Sequence, residues 1–225
     1  MKKLILIMIA VGTLLTACGN DTKEKVQSKS KPTTMKQSQH QIKKENGITT
    51  VDGFVLANKK VPLPKNFNPG ENANARNHLN QMIQNAKAKG LDIVYRSGFR
   101  SYQQQVSLFN SYVQRDGRKA AEKYSSPPGY SEHQTGLAFD VGSNRYNKDF
   151  LKEYGETPEG KWLAKHAHEY GFILRYPKGK EQITGYQYEP WHFRYVGKKT
   201  AKAIYDKQLT LEEYLDYGYD KKSIK

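Results

Sequence analysis

Two stretches far apart in the chain constrain its fold more than anything else in it: Ser131-Glu132-His133-Gln134-Thr135-Gly136-Leu137-Ala138-Phe139-Asp140 and Glu189-Pro190-Trp191-His192. Their polar groups make chemical sense only together. His133 and Asp140 offer an imidazole nitrogen and a carboxylate oxygen, His192 offers a third ligand, and Glu189 is left free beside them. Three protein ligands with an open fourth position describe a catalytic zinc site rather than a closed structural one, and one zinc ion per chain is expected. Zinc accepts neutral imidazole and carboxylate, and lowers the pKa of a bound water to about 7. A carboxylate that is not a ligand can then take the water's proton and pass it to a leaving amine, which makes Glu189 the candidate base. Gly136 to Asp140 reads as a short apolar strand ending in the carboxylate, with Gly136 letting backbone pass close by.

The rest of the pattern predicts one α+β domain, because no internal repeat and no second core is visible. Ile48 to Val55 and Val61 to Pro64 read as extended, with turns at Asp52-Gly53 and Asn68-Pro69-Gly70. Ala75, Leu79, Met82 and Ala86 share one helical face, stopped by Gly90. Leu91 to Tyr95 is the next expected strand, leading into Arg96 to Arg100. A helix from Tyr102 to Gln114 follows, with Gln105, Phe109, Tyr112 and Val113 on one face and Asp116-Gly117 closing it. Gln105 then lies in its first turn, near the strand end that carries Arg100. After a loop from Tyr124 to Tyr130, Thr157-Pro158-Glu159 opens a helix that runs through Trp162, Leu163 and Tyr170 to Gly171. Phe172 to Tyr176 and His192 to Val196 complete the strands, and Thr210 with Glu213 makes a capping box for a last short helix.

These motifs carry a resemblance. Ser131-x-His133-x6-Asp140 followed by Glu189-x-x-His192 resembles the zinc D-alanyl-D-alanine carboxypeptidases of the VanY type, which trim bacterial peptidoglycan stem peptides. The LD-carboxypeptidases of the same superfamily share the motifs. The segment Tyr95-Arg96-Ser97-Gly98-Phe99-Arg100-Ser101 with trailing Gln105 is similar to that family's Ser-Gly-Tyr-Arg-Ser segment, with Phe99 in place of the common tyrosine. The resemblance runs from about Val51 to Val196. It implies zinc ligands at His133, Asp140 and His192, a catalytic base at Glu189, and substrate contacts from Arg100, Gln105 and Ser131. The implied fold is of the hedgehog and DD-peptidase kind, a small antiparallel sheet flanked by helices with zinc at the sheet. Arg100 suits either a free C-terminal carboxylate or the oxyanion of a tetrahedral intermediate. The implied activity removes a C-terminal D-alanine from stem peptides. A wall-binding module with structural zinc and an endopeptidase of wall peptides are the alternatives. His40, His78, His166 and His168 lack a carboxylate at the family spacing and read as packed or surface residues.

Met1-Lys2-Lys3, the apolar run Leu4 to Leu15 and the small Ala17 predict an export signal over residues 1–17. Leu15-Thr16-Ala17-Cys18 resembles a bacterial lipobox, so Cys18, the sole cysteine, is expected to be lipidated. Gly19 to Asn46 is rich in Lys, Ser, Thr and Gln and cannot bury enough apolar surface to order itself. Residues 18–46 therefore read as a tether with a reach on the order of 30 Å, and residues 47–225 as the zinc carboxypeptidase domain. The protein is expected on the outer face of the bacterial cell membrane, as a monomer. Its net charge of +15 suits anionic wall polymers and lipid headgroups. Nucleic acid is not expected as a partner, given the export signal and the lack of a known binding motif.

Overall fold

The computed structural model describes residues 40–221. The expected signal segment, Cys18 and the tether up to residue 39 lie outside the described residues. The tether's last residues, however, are folded. Ile42–Glu45 (β1) pairs antiparallel with Ile48–Val51 (β2), which pairs in turn with Phe54–Val55 (β3). Asn46 and Gly47 both have positive φ, as do Asp52 and Gly53, so two successive two-residue turns fold this meander. Every residue of β1 is exposed. Its composition therefore looks like a linker, although the Asn46-Gly47 dipeptide beside it is a strong hairpin signal. His40, also placed in the tether, has its Nδ1 2.6 Å from the Asp52 carboxylate.

Ala73–Ala88 (α1) is capped by Asn72 and buries Ala75, Leu79, Met82 and Ala86, the four residues its periodicity selects. Strand β4 is Val94–Ser97, three residues later than the expected start. The shift has a local cause. The Asp92 amide donates to buried Glu159 and its carboxylate accepts from Ser143 and Asn144, so Asp92 is held by a helix side chain and a loop rather than by a neighbouring strand. Tyr102–Asp116 (α2) begins with a capping box from Ser101 and Gln104, and ends at Gly117. Arg118–Tyr124 (α3), which the sequence pattern does not announce, packs on α2.

Strand β5 is Ala138–Gly142, fully buried. Asp140 is thus at its middle and not at its end, since the strand runs two residues further than its apolar start suggests. Pro158–His166 (α4) is extended by a 3-10 turn to Tyr170 and stopped by left-handed Gly171. Phe172–Leu174 (β6) and Glu181–Thr184 (α5) precede His192–Tyr195 (β7). Lys198–Asp206 (α6) and Leu211–Leu215 (α7), the latter with the expected capping box at Thr210 and Glu213, complete the fold.

The central sheet has the order β4-β5-β7-β6 with all pairs antiparallel. Phe139, Val141 and Phe193 pack with α1, α4 and Phe172 into the main core. A second cluster joins Val51 and Leu56 to Ile204, Leu211 and Leu215 and fastens the N-terminal meander to the last two helices. Side chains alternate across a strand, so Asp140 and His192 project to the face opposite Phe139 and Phe193. The α+β domain with a small antiparallel sheet flanked by helices is therefore present, and the sheet carries the polar residues on its non-core face.

Candidate metal centre

Register delivers the first two ligands. Asp140 on β5 lies directly across from His192 on β7, and directly opposed residues of antiparallel strands hold their Cβ atoms about 5 Å apart on the same face. His133 comes from a 3-10 turn, Glu132–Thr135, closed by Gly136 with φ +72°. No other residue fits at Gly136, because a Cβ there would lie 2.0 Å from the Gly70 carbonyl oxygen. The close backbone approach expected of this glycine is thus real, and it fixes the turn that presents His133. The donor atoms of His133, Asp140 and His192 all lie within 4.8 Å of one another, and all three residues are buried.

The hydrogen bonds behind these residues decide which atoms face inward. His133 Nδ1 is 2.7 Å from the Gly98 carbonyl, so it carries the proton and Nε2 turns its lone pair to Asp140 Oδ2 at 3.2 Å. His192 Nε2 lies 3.4 Å from Glu132 Oε2, while Nδ1 lies 3.1 Å from Asp140 Oδ1. Asp140 Oδ1 is buried with no hydrogen-bond partner. Lone pairs of two imidazoles and a carboxylate therefore converge on one point, which repels unless a cation sits there. Two neutral nitrogens and one carboxylate oxygen fit zinc.

Without an ion the two histidines titrate in opposite directions. Burial favours neutral His133 and lowers its pKa. Burial opposes the Asp140 charge, but both histidines outweigh it and hold the carboxyl far below its usual range. At His192 burial is outweighed by the neighbouring Asp140 and Glu132 carboxylates, which raise it to about 9. A dication held by the same atoms displaces that proton, as metal binding at histidine generally does.

Glu189 occupies the turn that leads into β7, where the His192 amide donates to the Glu189 carbonyl at 3.2 Å. It does not belong to the ligand group and is buried beside it. Burial raises its pKa to about 8, with His192 pulling it down and Asp140 pushing it up. Arg100 follows β4 and reaches within 4.0 Å of Asp140 Oδ2. Its guanidinium is braced by Gln105 Oε1 at 2.8 Å and Ser97 Oγ at 3.1 Å. Gln105 also donates to the Ser126 carbonyl at 2.6 Å and, unlike Arg100 and Ser131, is not among the residues that line the cavity. Arg100, Ser131 and Glu189 all line a cavity of about 620 Å³ that runs from the metal ligands to Tyr112, Phe150 and Trp191. His78, His166 and His168 stay outside this site: His78 stacks on Tyr195, His166 bonds Glu169 and His168 stacks on Tyr205.

One set of residues was not anticipated. Glu132, Arg175, Arg194 and Glu212 are all fully buried and linked. Glu132 Oε1 accepts from Arg175 Nε at 2.8 Å and Arg194 Nη1 at 2.7 Å. Arg175 also pairs with Glu212 at 2.8 Å, Asn58 donates to Glu212 at 2.9 Å, and Arg194 donates to the Val55 carbonyl at 2.7 Å. The available signal was an arginine beside or inside two short apolar strands, where a charge is tolerated only with a partner.

Residues 70–198 match the family model described as VanY, D-alanyl-D-alanine carboxypeptidase. The putative carboxypeptidase YodJ of Bacillus subtilis is 40% identical over 198 residues, covering 78% of this chain and 72% of the relative. Among solved structures, the LdcB LD-carboxypeptidase superposes with a TM-score of 0.74 at 44% identity, covering 81% of this chain and 98% of the other. The vancomycin-resistance D,D-pentapeptidase VanY, solved with Zn(II), gives a TM-score of 0.62 at 32% identity over 71% of this chain and 97% of the other.

Proposed function

This chain belongs to the VanY family of D-alanyl-D-alanine carboxypeptidases, and from that premise we propose that it removes the C-terminal D-alanine of peptidoglycan stem peptides as a zinc enzyme. The observation that carries the reading is the convergence of His133, Asp140 and His192 at the floor of a cavity that also holds a non-ligand carboxylate, Glu189, and a braced guanidinium, Arg100. When bound, zinc supplies Lewis acidity to the scissile carbonyl and acidifies the attacking water.

The chain's own residues do the rest. Glu189 takes the water's proton and returns it to the leaving amine of D-alanine. Arg100, held flat by Gln105 and Ser97, pairs with the substrate's terminal carboxylate, a geometry a lysine could not reproduce. Ser131, buried at the cavity wall next to His133, is placed to accept or donate a hydrogen bond to the peptide. The cavity is far larger than one alanine, as a substrate bound through several stem residues requires.

The test is to incubate the purified protein with tetrapeptide and pentapeptide stems and identify the released residue by mass. D-alanine should appear from a stem with a free carboxylate, and C-terminal amidation should abolish its release. Equal cleavage of the amidated stem, or cutting at an internal bond, would show an endopeptidase instead.

We also propose that the protein is exported and held at the outer face of the membrane by a lipid on Cys18. Leu15-Thr16-Ala17-Cys18 supports this, as do the basic Met1-Lys2-Lys3 and the apolar run Leu4 to Leu15 before it. Two chains are needed for stable anchoring, since one acyl chain binds membranes only weakly. Cells expressing Cys18→Ala should lose fatty-acid labelling of the protein and its sedimentation with membranes. Unchanged labelling would remove the anchor from the account.

A further inference from the structure

Glu132 is the residue immediately before a proposed zinc ligand, and its carboxylate meets the buried arginine pair. Its two oxygens are used differently. Oε1 accepts from both Arg175 and Arg194, at 2.8 and 2.7 Å, and Oε2 is left to face His192 Nε2 at 3.4 Å. Arginine only donates, so a carboxylate that turned away would forfeit both of these charge-assisted hydrogen bonds. The His192 ring is in turn fixed from the sides. It lies 4.8 Å from the Tyr176 ring and edge-on to His133 at 4.9 Å. A ring that cannot rotate has only its proton position left to choose.

We infer that Glu132 is a positioning residue of the metal centre: its carboxylate keeps the His192 proton on Nε2, which leaves the Nδ1 lone pair aimed at the ion. The inference rests on the reading of His133, Asp140 and His192 as zinc ligands. It gives the two histidines the same device with different acceptors, a backbone carbonyl for His133 and a buried carboxylate for His192. It also makes Arg175 and Arg194 part of the site, since they hold the carboxylate in place and keep it ionised.

Glu132→Gln separates this role from simple packing. The amide oxygen must stay with the two guanidiniums, so the amide NH2 turns toward His192 Nε2 and demands a lone pair there. The proton then moves to Nδ1, the atom that should bind metal. Glu212→Gln is the control, because it removes one charge from the same buried network without touching His192. Zinc affinity, measured on the full chain by competition with a chelating dye, should fall about 10 to 100-fold in Glu132→Gln and stay at the original value in Glu212→Gln. Nitrogen-15 NMR of the unaltered, zinc-loaded protein should show the His192 proton on Nε2, a readout that needs no variant to fold. A proton on Nδ1, or equal loss of affinity in both variants, overturns the inference. An unaltered protein that binds no zinc at all overturns the ligand assignment beneath it, and the two failures are distinct.

Discussion

Glu189→Gln is expected to keep one zinc per chain and lose about 10² to 10⁴-fold in turnover, the usual contribution of a positioned general base. The side chain is not a ligand, so His133, Asp140 and His192 remain to hold the ion. What disappears is the proposed acceptor and donor of the proton. Stability should not suffer. Glu189 is buried, and burial is the main cause that raises its pKa to about 8, so a neutral amide of the same shape sits there at less cost than the carboxylate. The expected pattern is therefore unusual for an active-site variant: full metal content, a melting temperature at or above the original, and almost no D-alanine released. Retained turnover would remove Glu189 from the mechanism, and lost zinc would make it a ligand.

The largest effect on stability is expected at Arg175. Its guanidinium lies between Glu132 and Glu212, and all three residues are fully buried. Arg175→Met would fill most of the volume but leave Glu132 with Arg194 and His192, and Glu212 with the Asn58 amide. Breaking a buried pair by removing one partner costs about 3–5 kcal/mol, against a total stability of about 5–15 kcal/mol for a typical domain. Denaturant unfolding measures it directly. The double variant Arg175→Met, Glu212→Gln should recover part of the loss, because the second change removes a charge the first has stranded. A single variant within about 0.5 kcal/mol of the original would mean that water or neighbouring groups already compensate these charges.

The site was largely legible in the sequence because its chemistry uses residue types with few other reasons to be where they are. Two histidines and two carboxylates at fixed spacings announce a metal, and Asp140 and His192 do face each other across neighbouring strands. Helix α1 was equally legible, since its four buried residues repeat at helical spacing. Two features escaped for physical reasons. Strand β1 is exposed along its whole length, so nothing in its polarity separates it from a tether, and only the turn at Asn46-Gly47 reveals it. The arginine pair escaped because a charged side chain in a strand reads as solvent-facing until its partner is known, and Glu132 and Glu212 are distant in sequence from the arginines they neutralise. Gln105 was correctly placed near Arg100, but contact between them could not be told from contact with a ligand.

The buried ion network has a practical consequence for dividing the molecule. The match to the family covers residues 70–198, whereas Val55 and Asn58 come before it and Glu212 after it. A fragment trimmed to that segment would keep every proposed catalytic group and still strand Arg175 and Arg194 without their outer partners. The stretch from β3 to Asn58 and the final helix thus behave as a clasp shut over the arginine pair, and a self-sufficient piece of this protein has to reach beyond residues 70–198 on both sides.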